Sequence, residues 1–594
     1  MPFGRRGFAQ IGGFHMDAFP LDSRNVNALW GSVLVETLHR CGVRQAVISP
    51  GSRSTPLTLA LAAHAEIEAI PVLDERSAAF FALGLAKQHG DPVVLLCTSG
   101  TAGANYFPAV IEARESGVPL IVITADRPPE MRACASGQTI DQLKLFGDYV
   151  NFFHELAVPE LSESLFRYLR QTAAHAVERA LQPNAGPVHL NAPFRDPLAP
   201  VDDGGAAAKF AATVDWELFF WRLAPPMATS AVGAMPQISS EVHGVIVAGP
   251  AQPGDAAAHA MVVGEIAHKL GWPVLADGLS PLRNHAGTVP NLVTTYDAIL
   301  RNAVAADRLK PEVVLCLGAW PTSKVLRAWL ETSAAPIWFV TRRSDNRDAL
   351  HGRTRHLPVS LATLAAELPI ATDPNGYQRM WAGFERRTRE ALDGRLAKMD
   401  ELFEGRAAAL LAAHLPAGAT LCVANSMPVR DVEYFWPAND RRVRPLCNRG
   451  ANGIDGTLST ALGCAHGGAP AVLLTGDLAL LHDTNGFLLC EKFRGSLTVV
   501  LVNNRGGGIF EHLPVAQFEP PFEEFFATPQ SVDFVKLCAA YGVEHTLVND
   551  WAQFTTLIST LPAAGLRVLE LKTDRKRDAA TRKNLLADLA VALG

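Results

Sequence analysis

The sequence predicts an α/β protein of three consecutive doubly wound parallel-sheet domains. Short, nearly uninterrupted apolar runs alternate with longer amphipathic stretches along most of its 594 residues. That is the pattern of strands buried on both faces and joined by helices. The alternation falls into three blocks separated by stretches of different composition, and at about 150 residues per domain the length suits three or four domains.

In chain order, residues 1–23 form an N-terminal extension. It has basic residues but no extended apolar core, so it does not read as a secretory signal. Block one, 24–200, offers the strands "QAVIS", "AIPVL", "PVVLLCT", "PLIVIT" and "PVHLNAP", with helical stretches such as "RSAAFFALGLAKQHG" between them. Residues 201–242 are rich in small residues, Pro and Gly and read as a linker. Block two, 243–368, repeats the grammar with "GVIVAG", "PVLAD", "VVLCLG" and "IWFVT". A charge-mixed helical linker, 369–401, leads to block three, 402–594, with "TLCVAN", "PAVLLTGD", "SLTVVLVNN" and "RVLELKT". In such sheets ligands sit beyond the C-terminal strand ends, so the chemistry belongs in those loops.

Composition narrows the function. With 53 Lys and Arg against 59 Asp and Glu the net charge is −6, so nucleic acid is not an expected partner. The nine cysteines are scattered singly, without C-x-x-C, as expected of free thiols in a reducing cytoplasm. No apolar run approaches membrane-spanning length. G-x-G-x-x-G, a Gly-Lys pair and H-E-x-x-H are all absent, which removes the dinucleotide fingerprint, the Walker A loop and the zincin motif.

A two-part signal remains in block three. One strand ends on Gly476-Asp477 and opens a helix; the next ends on Asn503-Asn504 and runs into a glycine-rich loop. Asp477, the amide oxygen of Asn504 and a free loop carbonyl such as that of Gly506 make three hard oxygen donors. They suit Mg²⁺ bridging a diphosphate that rests on helix N-termini. Alone, Asp477 is equally a helix cap and Asn504 a turn residue; the pair at neighbouring strand ends is far more specific.

This constellation resembles the thiamine diphosphate motif of the pyruvate-decarboxylase-like superfamily. The resemblance implies a glutamate near the cofactor's aminopyrimidine N1′, and "AIPVLDERSAAFF" supplies Glu75 at a strand end in block one. It also places Ile454, in "NRGANGIDGTLSTALG", where an apolar residue props the bent cofactor; an ordinary apolar residue opening a helix fits there equally well.

Cations narrow the substrate. Arg53 in "SPGSRSTPL", Arg127 in "TADRPPE", Arg430 in "NSMPVRD" and Arg449 in "CNRGANG" all fall at expected strand ends, with Lys324 a fifth from block two. Several such cations in a chain of net negative charge suit recognition of more than one carboxylate. With "DERSAAFFALGLAK" and "GDLALLHDTNG", these segments resemble the 2-succinyl-5-enolpyruvyl-6-hydroxy-3-cyclohexene-1-carboxylate (SEPHCHC) synthase family of menaquinone biosynthesis, the MenD family. The match runs over nearly the whole chain from about residue 24, most weakly in block two.

Membership in that family would imply decarboxylation of 2-oxoglutarate and 1,4-addition of the resulting carbanion to isochorismate, in menaquinone or phylloquinone synthesis. The alternative is another 2-oxo acid decarboxylase or carboligase, such as an acetolactate-synthase-like enzyme. By the resemblance, Ser52, Arg53, Arg127, Gln138, Lys324, Ser426, Arg430, Arg449 and Phe510 hold or wall the substrates. Glu75 is the catalytic carboxylate. Ile454, Gly476, Asp477, Leu478, Asn504, Gly506 and Phe510 take the cofactor, with Asp477, Asn504 and Gly506 on Mg²⁺ or Mn²⁺. Since Glu75 and the metal ligands lie in different blocks, the site is expected between subunits of a dimer or a dimer of dimers. Thr55 and Pro56 read as the cap and first residue of the helix after Arg53.

Overall fold

A computed structural model describes residues 21–223, 242–368, 370 and 376–593. The N-terminal extension up to residue 20 lies outside the described residues, as do 224–241 of the first linker and 369 and 371–375 of the second.

The expected architecture is present: three six-stranded sheets, all parallel, with helices on both faces. The first holds β1 (Gln45–Ile48), β2 (Glu68–Pro71), β3 (Val93–Cys97), β4 (Leu120–Asp126), β5 (Phe152–Glu155) and β6 (Pro187–Pro193). In the second are β7 (Gly244–Ala248), β8 (Val274–Ala276), β9 (Leu292–Val293), β10 (Val313–Leu317), β11 (Ile337–Val340) and β12 (Thr354–Leu357). The third holds β13 (Thr420–Val423), β14 (Arg444–Cys447), β15 (Ala471–Gly476), β16 (Ser496–Asn503), β17 (Glu544–Val548) and β18 (Gly565–Lys572). Central strands such as β3, β4 and β16 are buried along their whole length, as two-sided packing requires.

Strand order is β2-β1-β3-β4-β6-β5 in the first sheet and β14-β13-β15-β16-β18-β17 in the third, the same permutation. In such an order the connections diverge between the first and third strands, leaving a crevice at their C-terminal ends. The second sheet runs β9-β8-β7-β10-β11-β12, the order familiar from dinucleotide-binding folds. Its crevice, however, is stitched shut by backbone. Gly249 donates to Leu317 and Ala319 to Pro250, each at 2.9 Å. A Cβ on Gly249 would lie 1.8 Å from the Ala319 carbonyl.

The first and third domains are fused within the chain. Helix Glu75–His89 crosses helix Thr457–Ala465 at Gly84 and Gly463. A Cβ on either would come within 2.1 Å of the opposing backbone, on Thr460 or Phe81. One hydrophobic cluster runs through both domains. The described half of the first linker is helical, with Ala206–Ala211 and Trp216–Trp221 burying Phe219 and Phe220 on the first domain. Helix Gly376–Ala397 fills the expected helical linker.

Candidate active site

The loops after β13, β14, β15 and β16 close around a cavity of about 270 Å³ at the crevice of the third sheet. Ser426, Ile454, Gly476, Asp477, Leu478, Asn504, Gly506 and Phe510 all line it, so these expected cofactor residues converge on one space. Asp477 is the first residue of the short helix Asp477–Leu481 and is buried. Its two carboxylate oxygens accept the amides of Leu478 at 2.9 Å and Gly506 at 2.8 Å. Burial pushes its carboxyl up to about 6.

Asn504 offers the second oxygen of the set. Its Nδ2 donates to Glu404 Oε1 at 2.6 Å, while its Oδ1 is buried without a partner. An orphaned buried carbonyl oxygen costs about 1–3 kcal/mol, a penalty that an oxygen-seeking cation at this point would remove. Gly506, at φ 138°, brings its backbone alongside Asp477, where a side chain would strike the Ala527 carbonyl. Its own carbonyl corrects one expectation: it is not free, because it accepts Gly508 N–H at 2.9 Å and keeps a single lone pair for a metal. One carboxylate, one amide oxygen and one half-used carbonyl still make a hard-oxygen set suited to Mg²⁺. No group of three or more His, Cys, Asp or Glu able to hold a metal occurs among the described residues. The donors of the candidate centre are instead mixed: Asp477, Asn504 and the Gly506 carbonyl.

Arginines flank the cavity. Ser426, at φ 70°, precedes helix Met427–Phe435, and Arg430 one turn along donates to the Ser426 carbonyl at 2.5 Å. Arg449 donates to Asn425 Oδ1 at 3.0 Å. Burial and the charge of Arg449 lower both Arg430 and Arg327, which comes from the middle domain and donates to the Pro321 carbonyl. All three guanidiniums thus bond to neutral oxygens and keep their positive field for an anion. Lys324, expected as the middle domain's cation, is exposed at the start of helix Lys324–Ser333. Arg327, one turn further on, is the cation that joins the group.

A second cationic group sits at the crevice of the first sheet. Arg53 is buried, donates to the Phe194 carbonyl at 3.0 Å and lies 3.6 Å from Asp196. Its backbone amide donates to Thr98 Oγ1. Arg127 donates to Ser99 Oγ and the Gly137 carbonyl, both at 2.9 Å, and Gln138 Nε2 donates to the Ser99 carbonyl at 2.9 Å. Thr98 and Ser99 therefore gather Arg53, Arg127 and Gln138. Ser52 is exposed beside them. The cap differs from expectation: helix Thr55–Ala63 is preceded by Ser54, and the Thr55 hydroxyl turns back to the Ser52 carbonyl at 2.6 Å.

Glu75 is the half-buried first residue of its helix, with Asp74 capping through Ser77 N–H at 3.0 Å. Neither Glu75 nor any residue of the first-sheet group lines the cavity of its own chain.

Comparison with known proteins decides the family. Residues 30–145, 231–423 and 432–569 match the N-terminal TPP-binding, middle and C-terminal TPP-binding domains of thiamine pyrophosphate enzymes. A 2-succinyl-5-enolpyruvyl-6-hydroxy-3-cyclohexene-1-carboxylate synthase of Gloeothece citriformis is 52% identical over 581 residues, 96% of this chain and 100% of that one. The chain belongs to the SEPHCHC synthase family. Family members of the same name from Microcystis aeruginosa and a Synechococcus strain are 52% and 53% identical, over 93% and 95% of this chain and 98% and 96% of theirs. As a SEPHCHC synthase family member the chain is a thiamine-diphosphate-dependent enzyme. A divalent metal is general for the family.

Asn425, Arg327, Ser99 and Glu404 escaped the sequence reading. Asn425 stands in the "NSMPVRD" segment, directly before Ser426; it donates to the Asn448 and Gly453 carbonyls at 2.7 Å and so fixes the loop carrying Arg449 and Ile454.

Proposed function

We propose that the chain decarboxylates 2-oxoglutarate and adds the resulting carbanion to isochorismate, giving SEPHCHC in quinone biosynthesis. Bound thiamine diphosphate supplies the electron sink for CO₂ loss and for the new carbon–carbon bond. The chain's residues hold and orient. Asp477, Asn504 and the Gly506 carbonyl hold the divalent cation that secures the diphosphate, with Ile454 and Leu478 packing on the cofactor. Glu75 hydrogen-bonds the aminopyrimidine N1′ and keeps a proton there. Arg430 and Arg449, with Ser426, take carboxylates on one side of the reacting centre, joined by Arg327. Arg53, Arg127, Gln138 and Ser52 take them on the other, and Phe510, edge-on to Phe526 at 5.9 Å, excludes water.

The observation carrying this reading is an orphaned amide oxygen in the cavity that Asp477 lines, together with three guanidiniums, Arg327, Arg430 and Arg449, that bond to neutral oxygens. A pyruvate-only carboligase needs fewer cations, which disfavours the acetolactate-synthase-like alternative. Glu75 lies outside its own chain's cavity, which supports an active site shared between two chains of a homo-oligomer. No helix among the described residues is long and apolar enough to cross a membrane, and the cysteines are free thiols, which supports work in the cytoplasm.

Mass spectrometry tests the reaction. With 2-oxoglutarate, isochorismate, thiamine diphosphate and Mg²⁺, a product equal to the sum of the two substrates less CO₂ is expected. Absence of that adduct, with 2-oxoglutarate still consumed, would favour the alternative. Glu75→Gln is expected to lower turnover at least about 100-fold while thiamine diphosphate still binds.

A further inference from the structure

Asn504 can serve a cation only if its amide points the right way, since the oxygen binds and the NH₂ repels. Beside it runs a buried chain of polar groups to which the reaction assigns no role, two of which, Glu404 and Asp431, also reach the cavity wall. Glu404, 3% exposed, opens helix Glu404–His414, and its backbone amide is held by Asp578 Oδ2 at 3.2 Å. Glu404 Oε1 accepts Asn504 Nδ2 at 2.6 Å, and Oε2 accepts Arg582 Nη2 at 2.9 Å. Arg582, 2% exposed in the C-terminal helix Arg575–Val591, is itself engaged through all three of its nitrogens. It donates to Asp431 Oδ1 from Nε at 3.1 Å and Nη2 at 2.6 Å, and its Nη1 meets His512 Nε2 at 3.1 Å.

The chemistry of these groups makes the chain one-directional. A guanidinium only donates and a carboxylate only accepts. With Arg582 fixed on one side, Glu404 must take the NH₂ of Asn504 on the other, and Asn504 Oδ1 is left facing the cavity. We infer that Glu404 is a positioning residue for the divalent cation, setting the amide orientation of Asn504, and that Arg582 sets Glu404 from the C-terminal helix. This rests on the reading that Asp477 and Asn504 hold the cation.

Glu404→Gln tests it without changing shape. Glutamine must offer its oxygen to Arg582 and its NH₂ to Asn504. Asn504 then turns its oxygen away from the cavity and points its own NH₂ at the cation. Mg²⁺ is titrated calorimetrically into the full-length apoprotein saturated with thiamine diphosphate, with circular dichroism checking the fold. Mg²⁺ affinity is expected to fall at least about tenfold, as for other groups that orient metal ligands. Adding Asn504→Asp to Glu404→Gln should restore affinity to within about threefold of the wild type, a non-additive rescue. One oxygen of the introduced carboxylate then accepts the glutamine NH₂ and the other faces the cation. Unchanged affinity in Glu404→Gln, or a double variant no tighter than the single one, would overturn the inference. Should Glu404→Gln not fold, Glu404→Asp is one methylene too short to span Arg582 and Asn504, and unchanged Mg²⁺ affinity there overturns it equally. A wild-type protein that takes up no Mg²⁺ with the cofactor would instead overturn the cation site itself.

Discussion

His189 on β6 is 1% exposed, with its Nε2 2.7 Å from Thr124 Oγ1 and the ring of Phe146 edge-on at 4.9 Å. Burial pushes its imidazole down to about 3, from 6.5. Between those values the unfolded chain binds a proton that the native state refuses, so His189 stabilises the fold above pH 6.5 and loses that contribution as pH falls toward 3. Several buried carboxylates titrate in the opposite sense, Asp477 and Asp483 among them, each pushed up to about 6 by burial. A difference measurement isolates the histidine. Between pH 7.5 and 5, the apparent Tm of wild type is expected to drop further than that of His189→Gln; parallel curves would refute the assignment. At the first-sheet group, Arg53→Ala is expected to abolish isochorismate addition while 2-oxoglutarate decarboxylation persists. Product analysis with and without isochorismate checks this, and equal loss of both steps would count against it. Residues of this scale were legible where they stood in a motif. Asp477 and Asn504 announced themselves by strand-end spacing, whereas Glu404 lies a hundred positions before Asn504 in an ordinary helical stretch, and only folding brings them together.

Among elements, interior strands were readable and edges were not. β5, β9, β12 and β17 all stand at sheet edges, and none was expected; β14, a further edge, was implied only by the placing of Arg449 at a strand end. An edge strand is covered incompletely, so it needs no continuous apolar run: β12 reads "TRHL" and β17 "EHTLV", both largely open to solvent. β2, the remaining edge, was found because "AIPVL" keeps an apolar signature. The crossing of helices Glu75–His89 and Thr457–Ala465 was equally silent, since nothing in either helix names its partner. It yields a sharp expectation: Gly84→Ala adds one methyl 2.1 Å from the Thr460 carbonyl. That overpacking should cost about 1–3 kcal/mol, read as a lowered midpoint in urea. Alanine is otherwise the better helix former, so a stabilised variant would show that the helices can part without cost.

For the whole molecule, the question is where Glu75 meets Asp477. If each site takes Glu75 from one chain and the cation ligands from another, two dead variants complement. Glu75→Gln and Asp477→Ala chains, unfolded together and reassembled in equal amounts, should recover about a quarter of wild-type activity under random pairing in a symmetric dimer. No recovery, with mixed oligomers verified by mass, would place the site within one chain. The three-sheet architecture itself was legible because parallel sheets write continuous apolar strands into the sequence; strand order was not, because it depends on which edge each helix crosses.

The stitched crevice of the middle sheet bears on redesign. Its strand order invites the insertion of a nucleotide, and the region looks like a spare docking bay for a second cofactor. Yet what fills the bay is main chain, Gly249 against Ala319. Trimming side chains therefore creates no room there. Reopening it would require rerouting two loops at once, so evolution by single substitutions has little access to a nucleotide-dependent descendant of this domain.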